Sequence, residues 1–181
     1  SDTKSSFLEC VMATVTTDKT IINASEKKWA KILKETREKL ANTVSAALCK
    51  QEMYDFTTEE IIEMIRDPNK YFDPQYFINL LEHEFKCNIF IFNRKNMAVN
   101  AQLKLPRFLK AYYKMKNTYP CIFIYQHMGS PSDKAIEPRC ELIIRVKETD
   151  ITNRLPGEYT FSQSKKVSKD IMGIFENMRL S

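Results

Sequence analysis

The chain has 181 residues, 43% of them hydrophobic and 28% charged, with a formal charge of +5, three glycines and seven prolines. That length fits one globular domain with room for an appendage. So few glycines and prolines argue against a repeat array, a disordered chain or a sandwich of many tight turns. No apolar run reaches the length of a membrane span, and no basic-then-apolar leader opens the sequence, so the expectation is a soluble intracellular chain without a membrane partner.

In chain order, Phe7, Leu8, Val11, Met12 and Val15 recur at helical spacing, which predicts a short buried helix from Phe7 to about Val15, with Ser5 and Ser6 as caps. "TTDKTIINAS" reads as a loop. From Ser25, the positions Trp29, Ile32, Leu33, Thr36, Leu40 and Val44 follow the 3.6-residue period, giving a long amphipathic helix, or a pair bent near Asn42, with a wet lysine-rich face. In "TTEEIIEMIRDP", Thr57 and Glu60 match a capping box, Ile61, Met64 and Ile65 face inward, and Pro68 stops the helix. Asp73 then predicts an N-cap with Pro74 at the first helical position, followed by an apolar stripe of Phe77, Ile78, Leu81 and Phe85.

The run Asn88 to Phe92, "NIFIF", is too short for a helix and reads as a central strand; "CIFIY" from Cys121 and "CELIIRV" from Cys140 read as a second and third. Between the first two, Met97 to Val99 and Leu103 to Leu105 read as edge pieces and "PRFLKAYYKMKN" as a helix or an extended arm. Residues 148–181 read as a linker and a C-terminal amphipathic helix bearing Val167, Ile171, Ile174 or Phe175, and Met178. This order predicts an α+β domain over 1–147, with N-terminal helices packed on a small mixed or antiparallel sheet.

The five cysteines, Cys10, Cys49, Cys87, Cys121 and Cys140, are odd in number, widely spaced and mostly set in apolar runs, which predicts reduced, core-like thiols. There is no CxxC pair, and His83 and His127 are far apart, so neither a metal site nor a cofactor is expected. "SPSD", Ser130 to Asp133, with Glu137, Glu141 and Lys147, has the residue types of a metal nuclease at loose spacing. Arg94, Lys95, Lys104, Arg107, Lys110, Lys114 and Lys116 form a dense basic stretch, the signal for a nucleic-acid surface.

The start "KSSFLECVMA", the helix-to-strand segment "FDPQYFINLLEHEFKCNIFIF" and the hairpin "CIFIYQHMGSPSDKAIEPRCELIIRV" resemble, in that order, the ovarian tumour (OTU) family of papain-like deubiquitinating proteases. The similarity runs from Ser5 to Lys147 and rests on pattern and order. It implies a papain-like fold in which a thiolate at a helix N-terminus works with an imidazole from the last strand. Carried over by position, the nucleophile falls on Ser6 and the histidine falls near Cys140 or Glu141; Cys10 lies one helical turn beyond Ser6. The resemblance therefore implies a degenerate, non-catalytic member used as a protein-binding or scaffold domain. The rival expectations are an active deubiquitinase using Cys10 with His127, and a nucleic-acid-binding module. "SFLECVMA", "EFKCNIFIF" and the hairpin also resemble segments of large proteins of nucleocytoplasmic large DNA viruses, African swine fever virus and its relatives among them. That likeness implies one domain of a longer viral structural or transcription-associated protein, placed in the host cytoplasm or virion, with viral or host proteins, ubiquitin included, as partners; the non-methionine start agrees with such an excised domain.

Overall fold

A computed structural model describes residues 3–16, 18–43, 53, 55–93, 119–130, 132 and 136–143. The expected edge pieces and arm, all seven residues of the basic stretch, Cys49, Asp133, Lys147 and the C-terminal helix lie outside the described residues. A single 3₁₀ turn, Thr3–Ser5, leads into α1, Ser6–Val15. Phe7, Leu8, Cys10, Val11 and Met12 are all buried, as the apolar spacing requires. Ser5 occupies the N-cap position but makes no side-chain cap; its hydroxyl is used elsewhere.

The segment read as a loop contains a one-turn helix, α2, Lys19–Ile22. Asp18 starts it: its Oδ1 accepts from the Thr20 backbone N–H at 2.8 Å and the Thr20 hydroxyl at 2.7 Å. Those bonds, from the Thr20 side chain first, hold the Asp18 carboxyl below its ordinary range. A single turn has too few residues to show a period, which is why pattern reading passes over it.

The long helix α3 runs Glu26–Thr43. One face of this otherwise exposed helix presents Leu33, Arg37 and Leu40 to the interior, 2%, 0% and 1% exposed. The capping box forms as expected at α4, Thr58–Arg66: Glu60 N–H donates to the Thr57 hydroxyl at 3.2 Å and Thr57 N–H donates to the Glu60 carboxylate at 2.7 Å. Helix α5, Pro74–Phe85, starts with Asp73 accepting from Gln75 N–H at 2.9 Å and ends where Lys86 turns left-handed at φ 50°. Its buried face is Phe77, Ile78, Leu80 and Leu81, with Phe85 half-buried.

Among the described residues three strands follow: β1 Asn88–Asn93, β2 Cys121–His127 and β3 Arg139–Leu142. Their order is β1-β2-β3, with β1 parallel to β2 and β2 antiparallel to β3, so the sheet is mixed. The expectation of a central β1 is corrected: among the described residues β2 is the middle strand, and β1 pairs on one side alone. A continuous apolar run reports burial of both faces, not the number of strand neighbours. Here both faces of β1 are indeed buried, Ile89 and Ile91 toward the helices and Phe90 away from them, its ring stacked on Phe123 at 5.1 Å.

Helix α1 lies against β3 and β2 on one side and against α5 on the other. Phe7 of α1 meets the Phe72 ring at a tilt with centroids 6.4 Å apart, and Phe72 stacks on Phe77 at 4.4 Å. Fully burying each such ring contributes roughly 1.5–3 kcal/mol. The chain is therefore an α+β fold in which the N-terminal helix is central and the last strand runs alongside it.

Candidate functional site at the helix and strand cleft

The N-terminus of α1 abuts the outer edge of β3. Ser6, 8% exposed, donates its hydroxyl proton to the Thr3 carbonyl at 2.8 Å and accepts the Cys140 backbone N–H at 2.9 Å. A serine hydroxyl has one proton to give. In this geometry it goes to a carbonyl, not to a base that could activate the oxygen.

Cys10 sits one turn further along and is 7% exposed. Burial first, then the negative charge of Cys140, Glu9 and Glu141, pushes its thiol far above the ordinary cysteine range. Nucleophilic cysteines need the opposite environment, one that stabilises the thiolate. Cys140 is held likewise: burial pushes it up to about 12, and its sulfur lies 3.4 Å from the Tyr71 hydroxyl. The same hydroxyl accepts from Gln126 Nε2 at 3.4 Å, and Gln126 also bonds the Asp73 side chain. Burial raises both the Tyr71 hydroxyl and the Asp73 carboxyl. Cys140, Tyr71, Gln126 and Asp73 thus form a part-buried polar chain in which burial disfavours the charged forms of Cys140, Tyr71 and Asp73. Cys10, Cys87 and Cys140 are free thiols and buried, in line with the expectation of reduced, core-like cysteines.

His127 is elsewhere. Gln126 pairs with Cys140 and His127 with Arg139, and successive strand residues point to opposite faces, so the imidazole stands on the face opposite Gln126 and Cys140. There Nε2 meets Glu141 Oε2 at 2.9 Å, Arg139 Nε donates to Glu141 Oε1 at 3.1 Å, and the Tyr125 ring lies edge-on at 4.9 Å. The His127 bond, ahead of the charges of His127 and Arg139, holds the Glu141 carboxyl below its ordinary range. The structure brings Ser6, Cys10 and Cys140 together, while His127 stands beyond them, bonded to Glu141, which itself lines the cleft. His83, on α5, is exposed.

The acidic residues of the nuclease pattern are engaged separately. Glu137 accepts from Lys4 Nζ at 2.8 Å and from the Thr3 hydroxyl at 2.6 Å, whereas Glu141 is bound to His127 and Arg139. Among the described residues no three His, Cys, Asp or Glu side chains converge as metal ligands. A cleft of about 390 Å³ opens between Ser6, Glu9, Cys10 and Ala13 on α1 and Arg139 to Leu142 on β3. A larger groove of about 680 Å³ between α3 and α4 is walled by charges that pair with one another, such as Arg66 with Glu38 at 3.1 Å, and holds no thiol or imidazole.

Sequence reasoning missed Arg37. It is 0% exposed, and donates to the carbonyls of Ile65 at 2.7 Å, Met64 at 2.9 Å and Lys70 at 2.9 Å and to the Ser5 hydroxyl at 3.1 Å, with its guanidinium 5.0 Å from the Phe72 ring centroid. The signal was present: Arg37 falls four residues after Leu33 and three before Leu40, on the apolar stripe. It ties the C-terminal carbonyls of α4 to the residue that precedes α1, and so positions the cleft from behind.

No known protein family and no solved structure matches the chain. The chain is 29% identical over 153 residues to the uncharacterized protein 295L of Invertebrate iridescent virus 6, an alignment covering 69% of this chain and 11% of that protein. The chain thus spans about a tenth of the length of the relative it matches. No helix among the described residues is long and apolar enough to cross a membrane. The similarity to 295L supports an origin in a large DNA virus.

Proposed function

We propose that this chain is a papain-like, OTU-type domain that has lost its catalytic pair and serves as a protein-binding or scaffold module. Its setting is a longer viral protein of structural or transcription-associated type, acting in the host cytoplasm or the virion. Viral or host proteins, ubiquitin among them, are the partners. One observation carries this reading: Ser6, where the OTU resemblance places the nucleophile, meets Cys140, one of the two positions (Cys140 or Glu141) near which it places the histidine, across the cleft at 2.9 Å. Neither brings chemistry, because Ser6 acts as a hydrogen-bond bridge and Cys140 contributes a backbone N–H and a neutral thiol. What supports the reading is that the Ser6 hydroxyl donates to the Thr3 carbonyl and not to a base, and that the nearby thiols of Cys10 and Cys140 are buried.

The test is incubation with a panel of ubiquitin chains and with a ubiquitin probe carrying a thiol-reactive C-terminus. The expected result is intact chains and no covalent adduct. Chain cleavage or adduct formation that disappears in Ser6→Ala or Cys10→Ala would overturn the proposal.

A further inference from the structure

The sheet has a second apolar face, opposite the one that meets the helices. Phe90 and Phe123 are 1% and 5% exposed, and Phe92 lies 6.0 Å from Phe123. Alternation along β1 sets Asn88, Phe90 and Phe92 on one face and Ile89 and Ile91 on the other, and the parallel register puts Phe123 beside Phe90 and Tyr125 beside Phe92. The isoleucines belong to the core shared with the helices, whereas Phe90 and Phe123 do not. The two rings are therefore covered from the far side of the sheet.

Backbone hydrogen bonds fix the hand of the strand order. In a strand of L residues running upward, a residue whose side chain faces the viewer directs its N–H and C=O to the right. Asn88, on the aromatic face, donates its N–H to the Pro120 carbonyl at 2.8 Å, so β2 lies to the right of β1 when seen from that face. Phe123 gives the same hand: its carbonyl accepts from Ile143 N–H at 2.9 Å, which puts β3 to the right of β2. Connections between parallel strands of one sheet are right-handed in about 98% of cases. With β2 on the right, a right-handed connection crosses on the viewer's side, over the aromatic face.

We propose that the aromatic face is closed by the chain's own connection from β1 to β2, residues 94–118, and is not a surface for a partner. That segment is held at both ends, by Asn93 of β1 and by Tyr119 ahead of β2. It is about twice the dozen residues that a parallel crossover needs. Its sequence supplies apolar cover in Leu103, Leu105, Phe108, Leu109 and Tyr112. Residues 144–181 carry no comparable constraint of handedness. The basic stretch from Arg94 to Lys116 falls within the connection, so it comes to the side of the sheet away from Ser6 and Cys10, and a protein partner is left the helix side. Closure of this face holds whether or not the cleft at α1 is catalytic, so cleavage of ubiquitin chains would leave it standing.

The experiment places p-benzoylphenylalanine at Tyr125, half-buried on the aromatic face, in the 181-residue chain, and maps the photo-cross-links by tryptic mass spectrometry. The expected partner lies within residues 96–113, and the same group at the exposed Glu59 of α4 is expected not to reach it. Cross-links to residues 144–181, cross-links to a second copy of the chain, or no cross-link would overturn the proposal. Among Leu105→Asp, Phe108→Asp and Leu109→Asp, at least one is expected to lower the urea midpoint by about 1 M or more, because a charge replaces a side chain that covers the rings. Three unchanged midpoints would overturn it as well.

Discussion

Replacing Arg37 by methionine keeps most of its volume and removes its five N–H donors, so it isolates the polar role of this buried side chain. Four acceptors lose their donor: the Ile65, Met64 and Lys70 carbonyls and the Ser5 hydroxyl. The bonds to Met64 and Lys70 are partly buried, so water replaces the donor there at small cost; those to Ile65 and Ser5 are fully buried. A buried acceptor left unpaired costs about 1–3 kcal/mol, and the lost guanidinium contact with Phe72 adds about 1 kcal/mol. Against this stands the relief of burying a cation, which the partial negative charge at the C-terminus of α4 already offsets. The net expectation is a loss of about 2–4 kcal/mol for Arg37→Met, and more for Arg37→Ala because a cavity is added. Arg37→Lys keeps the charge but not the planar fork and should fall between wild type and Met. Urea titration followed by tryptophan fluorescence measures it, since Trp29 lies on the same helix. An Arg37→Met midpoint equal to or above wild type would refute the reasoning, showing that desolvation costs as much as the bonds return.

Ser6→Ala removes the bridge between Thr3 and Cys140 and strands the Cys140 N–H, for an expected loss of about 1–2 kcal/mol in thermal or urea melts; an unchanged melt would mean that water reaches this N–H and that Ser6 is no connector. Gly129→Ala is expected to cost about 1–2 kcal/mol, because its φ is +21° and a Cβ there would lie 2.9 Å from the Ile136 carbonyl oxygen; a stability equal to wild type would show that the hairpin loop gives way. The buried thiols set an alkaline limit. Cys140 titrates at about 12 in the folded chain against 9.0 for an ordinary thiol, and Cys10 and Tyr71 are shifted in the same direction by burial. The folded state therefore holds protons that the unfolded chain releases, so stability is fully present below pH 9.0 and falls as pH rises from there toward about 12. Urea midpoints at about pH 8 and about pH 10.5 should differ in that sense, by up to about 1.4 kcal/mol per pH unit for each retained proton; a flat or rising midpoint would contradict the burial of these groups.

The sequence by itself determined the elements whose signals are local. Thr57 with Glu60 and Asp73 with Pro74 set helix starts within three or four residues, and the stripes in α1, α3 and α5 fixed which faces turn inward. The apolar runs "NIFIF" and "CIFIY" fixed two strands for the same reason. Only the tertiary structure decided what those residues do. Ser6 and Cys140 are 134 positions apart, and no periodicity records that one hydroxyl bridges two chain segments. The face on which His127 stands depends on strand register, a property of the pairing and not of the strand. Arg37 sat on an apolar stripe, but its burial became intelligible only when the carbonyls at the end of α4 and the Ser5 hydroxyl were brought around it. Local sequence encodes backbone geometry and the inward face; the state of a thiol, a hydroxyl or a guanidinium depends on the partners and solvent that distant segments supply or exclude.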